Sequence, residues 1–200
     1  MNKDKPFSPP ADRNKGPILD VLKEAFRNSE QVLEIGSGTG QHAVHFAQNL
    51  PHLTWQTSDL EENHTGIRLW LEEAALPNVK EPLILDVTSL PWKSGRYDAV
   101  FSANTLHIMS KLMVECLFKG LGDTLAVNGT LCVYGPFNYG GEYTSETNRK
   151  FDKWLLNQNP ESAIRDFEWV NSLAEQTGLS LINDHEMPAN NRLLAWRKQR

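Results

Sequence analysis

Val32-Leu33-Glu34-Ile35-Gly36-Ser37-Gly38-Thr39-Gly40 is the stretch whose reading decides the fold of this chain. An apolar run over 31–35 is stopped by glycine. A helical period then opens on Ala43, Phe46, Ala47 and Leu50. In a strand–turn–helix of this kind, glycines let backbone N–H groups approach a ligand closely. The pattern is acid-x-Gly-x-Gly-x-Gly. It lacks the Gly-Lys-Ser/Thr of a phosphate loop, and Gln41 stands where the dinucleotide fingerprint requires its third glycine.

Outward from the loop, strands and helices alternate. Apolar runs at 53–57, 82–85, 97–103 and 129–134 read as further strands. Helical faces appear in Ile18, Leu19, Leu22 and Phe26 behind Pro17, in Ile67, Trp70, Leu71 and Ala74, and in Leu112, Cys116, Leu117 and Leu121. This alternation predicts a parallel sheet covered on both faces. Helices are also expected around Trp154 and over 167–177. Runs at 179–187 and 192–197 are joined by so short a link that only an antiparallel pair fits. The expected fold is a three-layer α/β sandwich with a seven-stranded, mostly parallel sheet and a reversed last strand. It reads as a single domain over 1–200, with a mobile arm at 1–12 and an acceptor-side insertion at 136–176.

Two acids follow the loop at informative places. Asp59, about 20 residues on, ends the second strand, where a carboxylate can accept ribose hydroxyls. Asp86 closes the third strand and could accept from an adenine amino group. Each also has a plainer reading, as a helix cap or the start of a turn.

Val32 to Gly40, Asp59, Asp86-Val87 and the reversed final strand resemble the class I S-adenosylmethionine-dependent methyltransferases. Pro10 to Lys15, Gly135-Pro136-Phe137, Thr144 to Asn148, Ile164-Arg165-Asp166 and Met187 to Asn191 resemble, more narrowly, a methyltransferase-like family described as a domain of unknown function. The resemblance implies a Rossmann-like fold and S-adenosyl-L-methionine as cofactor. Carried to this chain, it implies cofactor contacts at Glu34, Gly36, Ser37, Gly38, Gly40, Asp59, Leu60, Asp86, Val87 and Ala103. Glu34 would lie near the methionine moiety, Asp59 would hold the ribose and Asp86 would face the adenine. Glu61 and Glu62 are close enough in sequence to compete with Asp59.

The acceptor is expected beside the end of the fourth strand, at Asn104-Thr105-Leu106-His107. The absence of Pro-Pro-aromatic after Asn104 weighs against adenine-N6 and glutamine-amide acceptors. Leu106-His107 instead resembles the Leu-His that small-molecule methyltransferases often carry in this loop, which implies a small polar acceptor methylated on oxygen, nitrogen or sulfur. Asn104 and His107 are the catalytic candidates. His107 is either a general base or a wall of the pocket. Tyr139 and Tyr143, flanking Gly140-Gly141, suggest a lid. Arg165 could clamp an anionic group or pair with a neighbouring acid. Asn190 and Asn191 could touch substrate or simply make a turn. Arg13 could reach the cofactor if the arm folds over it. The rivals are a binding protein that keeps the cofactor pocket without transfer, and a nicotinamide oxidoreductase, which Gln41 disfavours.

Composition bounds the partners. In 200 residues, 20 basic against 25 acidic side chains leave a net charge of −5. No apolar stretch approaches the roughly 18 residues of a membrane span, and the N-terminus reads as no signal peptide. Cys116 and Cys132 have no metal or redox spacing, so reduced thiols in the cytoplasm are expected. The histidines show no ligand spacing, and no metal is expected. Nucleic-acid binding begins with neutralised phosphates, for which this charge is unsuited. Anisotropy titrations with DNA or RNA at physiological salt should give only weak, non-saturating association. Tight binding with a steep salt slope would contradict this.

Overall fold

A computed structural model describes residues 5–199. Its strands are β1 (Gln31–Ile35), β2 (Thr54–Asp59), β3 (Val79–Ile84), β4 (Tyr97–Ala103), β5 (Leu125–Gly135), β6 (Phe137–Asn138), β7 (Arg165–Asp166), β8 (Leu179–Met187) and β9 (Asn191–Lys198). Its helices are α1 (Pro9–Ala25), α2 (Gln41–Asn49), α3 (His64–Ala74), α4 (Lys111–Thr124), α5 (Glu146–Gln158) and α6 (Phe167–Gln176). The expected seven-stranded sheet forms, in the order β3-β2-β1-β4-β5-β9-β8. It is parallel up to β5, and β9 runs antiparallel to both β5 and β8.

The order places the site. From β1 the chain builds outward to β2 and β3, then returns to lay β4 on the other side of β1. Helices therefore diverge at the carboxyl ends of β1 and β4, and a crevice opens at this switch point.

Alternation along the strands sorts the core. Val32 and Phe101 face α1 and α2, where Ile18, Leu22, Phe46 and Trp55 are fully buried. Leu33, Val100, Val133 and Trp196 face the opposite layer, against Val114, Leu117 and Phe118 of α4 and Val170 of α6. Phe46 sits edge-on to Phe101, centroids 5.3 Å apart, and 5.5 Å from Trp55.

Several elements differ from expectation, among them β5, which begins at Leu125 rather than 129. α1 begins at Pro9 rather than Pro17. Ser8 caps it, its Oγ accepting from the Ala11 N–H at 3.4 Å, and Pro9 and Pro10 fill first-turn positions that need no donor. Residues 5–12 of the expected arm are thus packed: the Trp70 indole donates to the Pro6 carbonyl at 2.7 Å, and the Pro6 ring lies against Gly66. Residues 1–4 lie outside the described residues. β3 starts at Val79 and runs through Pro82, which is tolerated because β3 is an edge strand. The insertion adds a short parallel pair, β6 with β7, that periodicity did not signal.

The Phe46–Trp55–Phe101 cluster ties α2 to β2 and β4, the strands on either side of β1, which leads into the glycine turn. Phe101→Ala should lower unfolding free energy by about 3–5 kcal/mol in urea titrations. A loss under 1 kcal/mol would mean that the cluster is not packed as described.

Candidate functional site

A cavity of about 410 Å³ opens at the switch point. Its floor is the glycine turn. Gly36, Gly38 and Gly40 all have positive φ, at 74°, 58° and 89°. A Cβ on Gly36 would stand 2.5 Å from the Thr105 methyl, so only glycine fits there. Gly38 has open space in that direction, toward any ligand. Gly40 does not line the cavity. It begins α2 and lets α3 approach, with the Ile67 Cα 3.2 Å from where a Cβ would be.

The turn is fastened to the end of β2. The Gly36 and Ser37 N–H groups both donate to the Ser58 carbonyl at 3.0 Å. Asp59 Oδ2 accepts the Gly38 N–H at 2.7 Å, while its Oδ1 accepts from the Leu60 N–H and the Asn63 amide, both at 2.8 Å. An ionised carboxylate has about four acceptor positions, so one remains for a ligand. Glu61 and Glu62 are exposed in the following 3-10 turn, and neither lines the cavity.

Of the expected cofactor contacts, Gly36, Ser37, Gly38, Asp59, Leu60, Asp86, Val87 and Ala103 line this cavity. Asp86 also makes the turn its plainer reading foresaw, Oδ1 accepting from the Thr88 N–H and hydroxyl at 2.9 and 2.7 Å. Glu34 is absent from the wall. It is buried beneath the turn, its Oε2 accepting from the Ser37 hydroxyl at 2.9 Å and the Trp55 indole at 3.1 Å. Burial pushes its carboxyl up to about 7. Ser8 and Ala11 from the start of α1, and His42, Asn63, Thr105, Ile108 and Met113, also line the cavity. Their part follows from tertiary packing and left no local signal. His42 holds Asn14 Oδ1 at 2.7 Å, and burial pulls its imidazole down to about 4.

Asn104 is the hinge of the arrangement. At φ 59°, with its N–H donating to the Tyr134 carbonyl at 2.8 Å, it lines this cavity and also a second one of about 370 Å³. The second is walled by Asn148, Phe151 and Thr147 of α5, by Pro136, and by Asn190 and Asn191. The structure thus brings Asn104, Asn190 and Asn191 together.

The remaining candidates are elsewhere. Arg165, 5% exposed, is no clamp on a ligand. Its Nε donates to the Leu106 carbonyl at 3.2 Å, and its Nη2 to the carbonyls of Met109 and Glu161, so it straps the loop that follows β4. It forms no ion pair with Asp166 or Glu168. Tyr139 and Tyr143 line neither cavity, and the 136–144 segment is tied down rather than poised as a lid. The Tyr139 hydroxyl donates to Asp184 at 2.9 Å, its ring stacks on Phe167, and the Tyr143 hydroxyl donates to Asp152 at 2.7 Å. Arg13 is exposed and lines neither cavity. His107 also lines neither. It is buried, edge-on to Phe151 at 5.3 Å, and burial together with the Arg165 charge pulls it down to about 4. Among the described residues no group of His, Cys, Asp or Glu is placed to hold a metal, and no helix is long and apolar enough to cross a membrane.

Glu34 gives the site a pH signature. Its folded carboxyl titrates near 7 and its unfolded one near 4.5. The folded state therefore holds an extra proton between these values, and the associated stability is lost as pH rises through 7. Glu34→Gln keeps acceptors for Trp55 and Ser37 without the charge. In the absence of ligand it should match the parent near pH 5 and exceed it by on the order of 3 kcal/mol near pH 8, measured by denaturant unfolding. An equal difference at both pH values would show that Glu34 is not held in its protonated form.

Comparison with solved structures gives the same fold. An O-methyltransferase family 2 protein from Planctomyces limnophilus, in complex with apigenin, matches at TM-score 0.83 and 15% identity, over 94% of this chain and 58% of that one. An O-methyltransferase family protein from Burkholderia thailandensis matches at 0.82 and 16%, over 92% and 56%. Human N-acetylserotonin methyltransferase in complex with S-adenosylmethionine matches at 0.73 and 15%, over 95% and 58%. The chain spans a little over half the length of these proteins. The model of one family matches residues 5–198. The glycine turn, the acids behind β2 and β3 and the reversed β9 thus sit in a Rossmann-like α/β fold like that of these methyltransferases, and the chain belongs to the family described as "Protein of unknown function (DUF938)".

Proposed function

We propose that this chain transfers a methyl group from S-adenosylmethionine to a small polar molecule. The observation that carries this reading is the meeting of two cavities at Asn104. One suits a nucleoside, and the other, beside it, is lined by four asparagines, Thr147 and the Phe151 ring.

The first cavity suits the cofactor. Leu60, Leu85, Val87, Ile108 and Met113 offer apolar surface for a purine. Asp59 would hold the ribose and Asp86 the adenine edge. No lysine or arginine lines the cavity, and two carboxylates do, which favours a ligand carrying cationic groups over a pyrophosphate. The Gly38 N–H, which a phosphate would need, is already given to Asp59. That argues against a dinucleotide independently of Gln41, whose side chain instead accepts from the Ser8 N–H and anchors α1.

When bound, the cofactor supplies an electrophilic methyl on a sulfonium. The protein's task is then alignment and exclusion of water. The loop carrying Asn104 is suited to alignment: Arg165 and Ser162 hold its Leu106, Ile108 and Met109 carbonyls. The second cavity supports transfer over mere sensing, because a sensor has no need of a chamber beside the cofactor cavity. Both cysteines are free, in keeping with a cytoplasmic setting.

Isothermal titration should show S-adenosylmethionine and S-adenosylhomocysteine binding and no binding of NAD. Asp59→Ala should weaken both by about 10–100-fold, the cost of a lost hydrogen bond to a charged group. Binding of NAD without the sulfur nucleosides would contradict the proposal.

A further inference from the structure

The second cavity carries information about the acceptor. Its wall holds four asparagines, Asn104, Asn148, Asn190 and Asn191, with Thr147 and the ring of Phe151. No residue on it is charged or titratable. The arginines next to lining residues in sequence, Arg149 and Arg192, are otherwise engaged, as is Arg165: Arg149 with Glu146 and over the Tyr143 ring, Arg192 with Asp184 and Glu186, and Arg165 on loop carbonyls.

The amides are turned in one sense. Asn148 is 5% exposed and gives both its N–H groups away, to Thr144 Oγ1 at 2.9 Å and the Asn190 carbonyl at 3.0 Å. The carbonyl partner fixes the orientation of this amide, so its Oδ1 is the free end. That oxygen has no partner among the described residues. Asn190 likewise donates, to Thr147 Oγ1 at 3.1 Å, and Asn191 donates to the Pro188 carbonyl at 3.2 Å. The Asn104 side chain has no partner among the described residues and stands at the junction of the cavities. The chamber thus offers the Asn148 oxygen, the uncommitted amide of Asn104 and one aromatic face, and its lining holds neither cation nor base.

Resting on the methyl-transfer reading, we infer that the acceptor atom is the nitrogen of an uncharged aromatic amine rather than an oxygen. A hydroxyl must lose its proton to become a good nucleophile. The wall has no cation to neutralise the oxyanion and no side chain that can take the proton. His107 lies behind Phe151, off both walls. An aryl amine carries its lone pair at neutral pH and becomes positive as it reacts. Its N–H groups suit Asn104 and Asn148 Oδ1, and its ring suits Phe151. The amine lone pair forms the new N–C bond while the C–S bond breaks, its electron pair staying on sulfur as a neutral thioether. The resulting ammonium then sheds its proton to water. A carboxylate or phosphate on the acceptor would find nothing to pair with.

4-Aminophenol carries both nucleophiles on one ring, and 4-aminobenzoate adds the excluded charge. With protein loaded with S-adenosylhomocysteine, ligand-observed NMR titrations should show 4-aminophenol binding at least tenfold tighter than 4-aminobenzoate. Asn148→Leu should weaken 4-aminophenol at least tenfold while the nucleoside still binds. With S-adenosylmethionine, mass spectrometry should find the label of a labelled methyl group on nitrogen. Equal or tighter binding of 4-aminobenzoate, methylation on oxygen, or no saturable binding of 4-aminophenol by nucleoside-loaded protein would overturn the inference. Failure to load the nucleoside would instead overturn the methyl-transfer reading.

Discussion

The end of β2 holds the glycine turn in place, and the site depends on that attachment. One carbonyl, that of Ser58, receives the N–H groups of Gly36 and Ser37, and one carboxylate, that of Asp59, receives the N–H of Gly38. The serine side chains close the loop from below: Ser58 Oγ donates to the Glu34 carbonyl at 2.6 Å, and Ser37 Oγ donates to the Glu34 carboxyl group. A turn with glycines at 36, 38 and 40, all at positive φ, would otherwise be flexible, since glycine has the most conformational freedom to lose. Here each amide has a named acceptor. The residue that would hold the ribose also fixes the loop on which the rest of the nucleoside would lie.

The far side of the site is fixed by a different device. The loop after β4 has no regular structure, and its carbonyls would be costly to bury alone. Arg165 reaches across from β7 to those of Leu106 and Met109, and Ser162 to that of Ile108. Asp152 holds the returning chain by accepting the Ile164 N–H at 2.6 Å. The insertion after β5 is therefore a brace for the Asn104 loop as well as a wall of the second cavity. Asn104 joins the two halves: its backbone bonds to β5 while its side chain faces the gap between cavities.

Much of this was legible in the sequence because it is written locally. Apolar runs ended by glycine mark β1, and the spacing from the turn to Asp59 reflects one strand–helix–strand unit of parallel sheet. The Pro/Asn link between β8 and β9 is too short for anything but reversal. What was not legible depends on partners far along the chain. Ser8-Pro9-Pro10 reads as a loop, yet it caps a helix, because prolines in a first turn give up no bond. Arg165 reads as a site for anions, yet its partners are carbonyls, which leave no trace in a sequence. Glu34 carries the family's expected acid, but here its carboxylate faces the Trp55 indole and supports the turn from beneath. His107 illustrates the general difficulty, since a buried imidazole packed on Phe151 and a catalytic one are spelled alike.

Hydrogen exchange with and without S-adenosylhomocysteine tests the central claim, that one nucleoside site is assembled from the turn, the end of β2 and the loop after β4. The amides of residues 36–42, 59–63, 85–88 and 103–109 should slow together on addition of the ligand, with little change at β8 or the 154–160 surface. Protection confined to other segments, or none at saturating ligand, would contradict this account of the site.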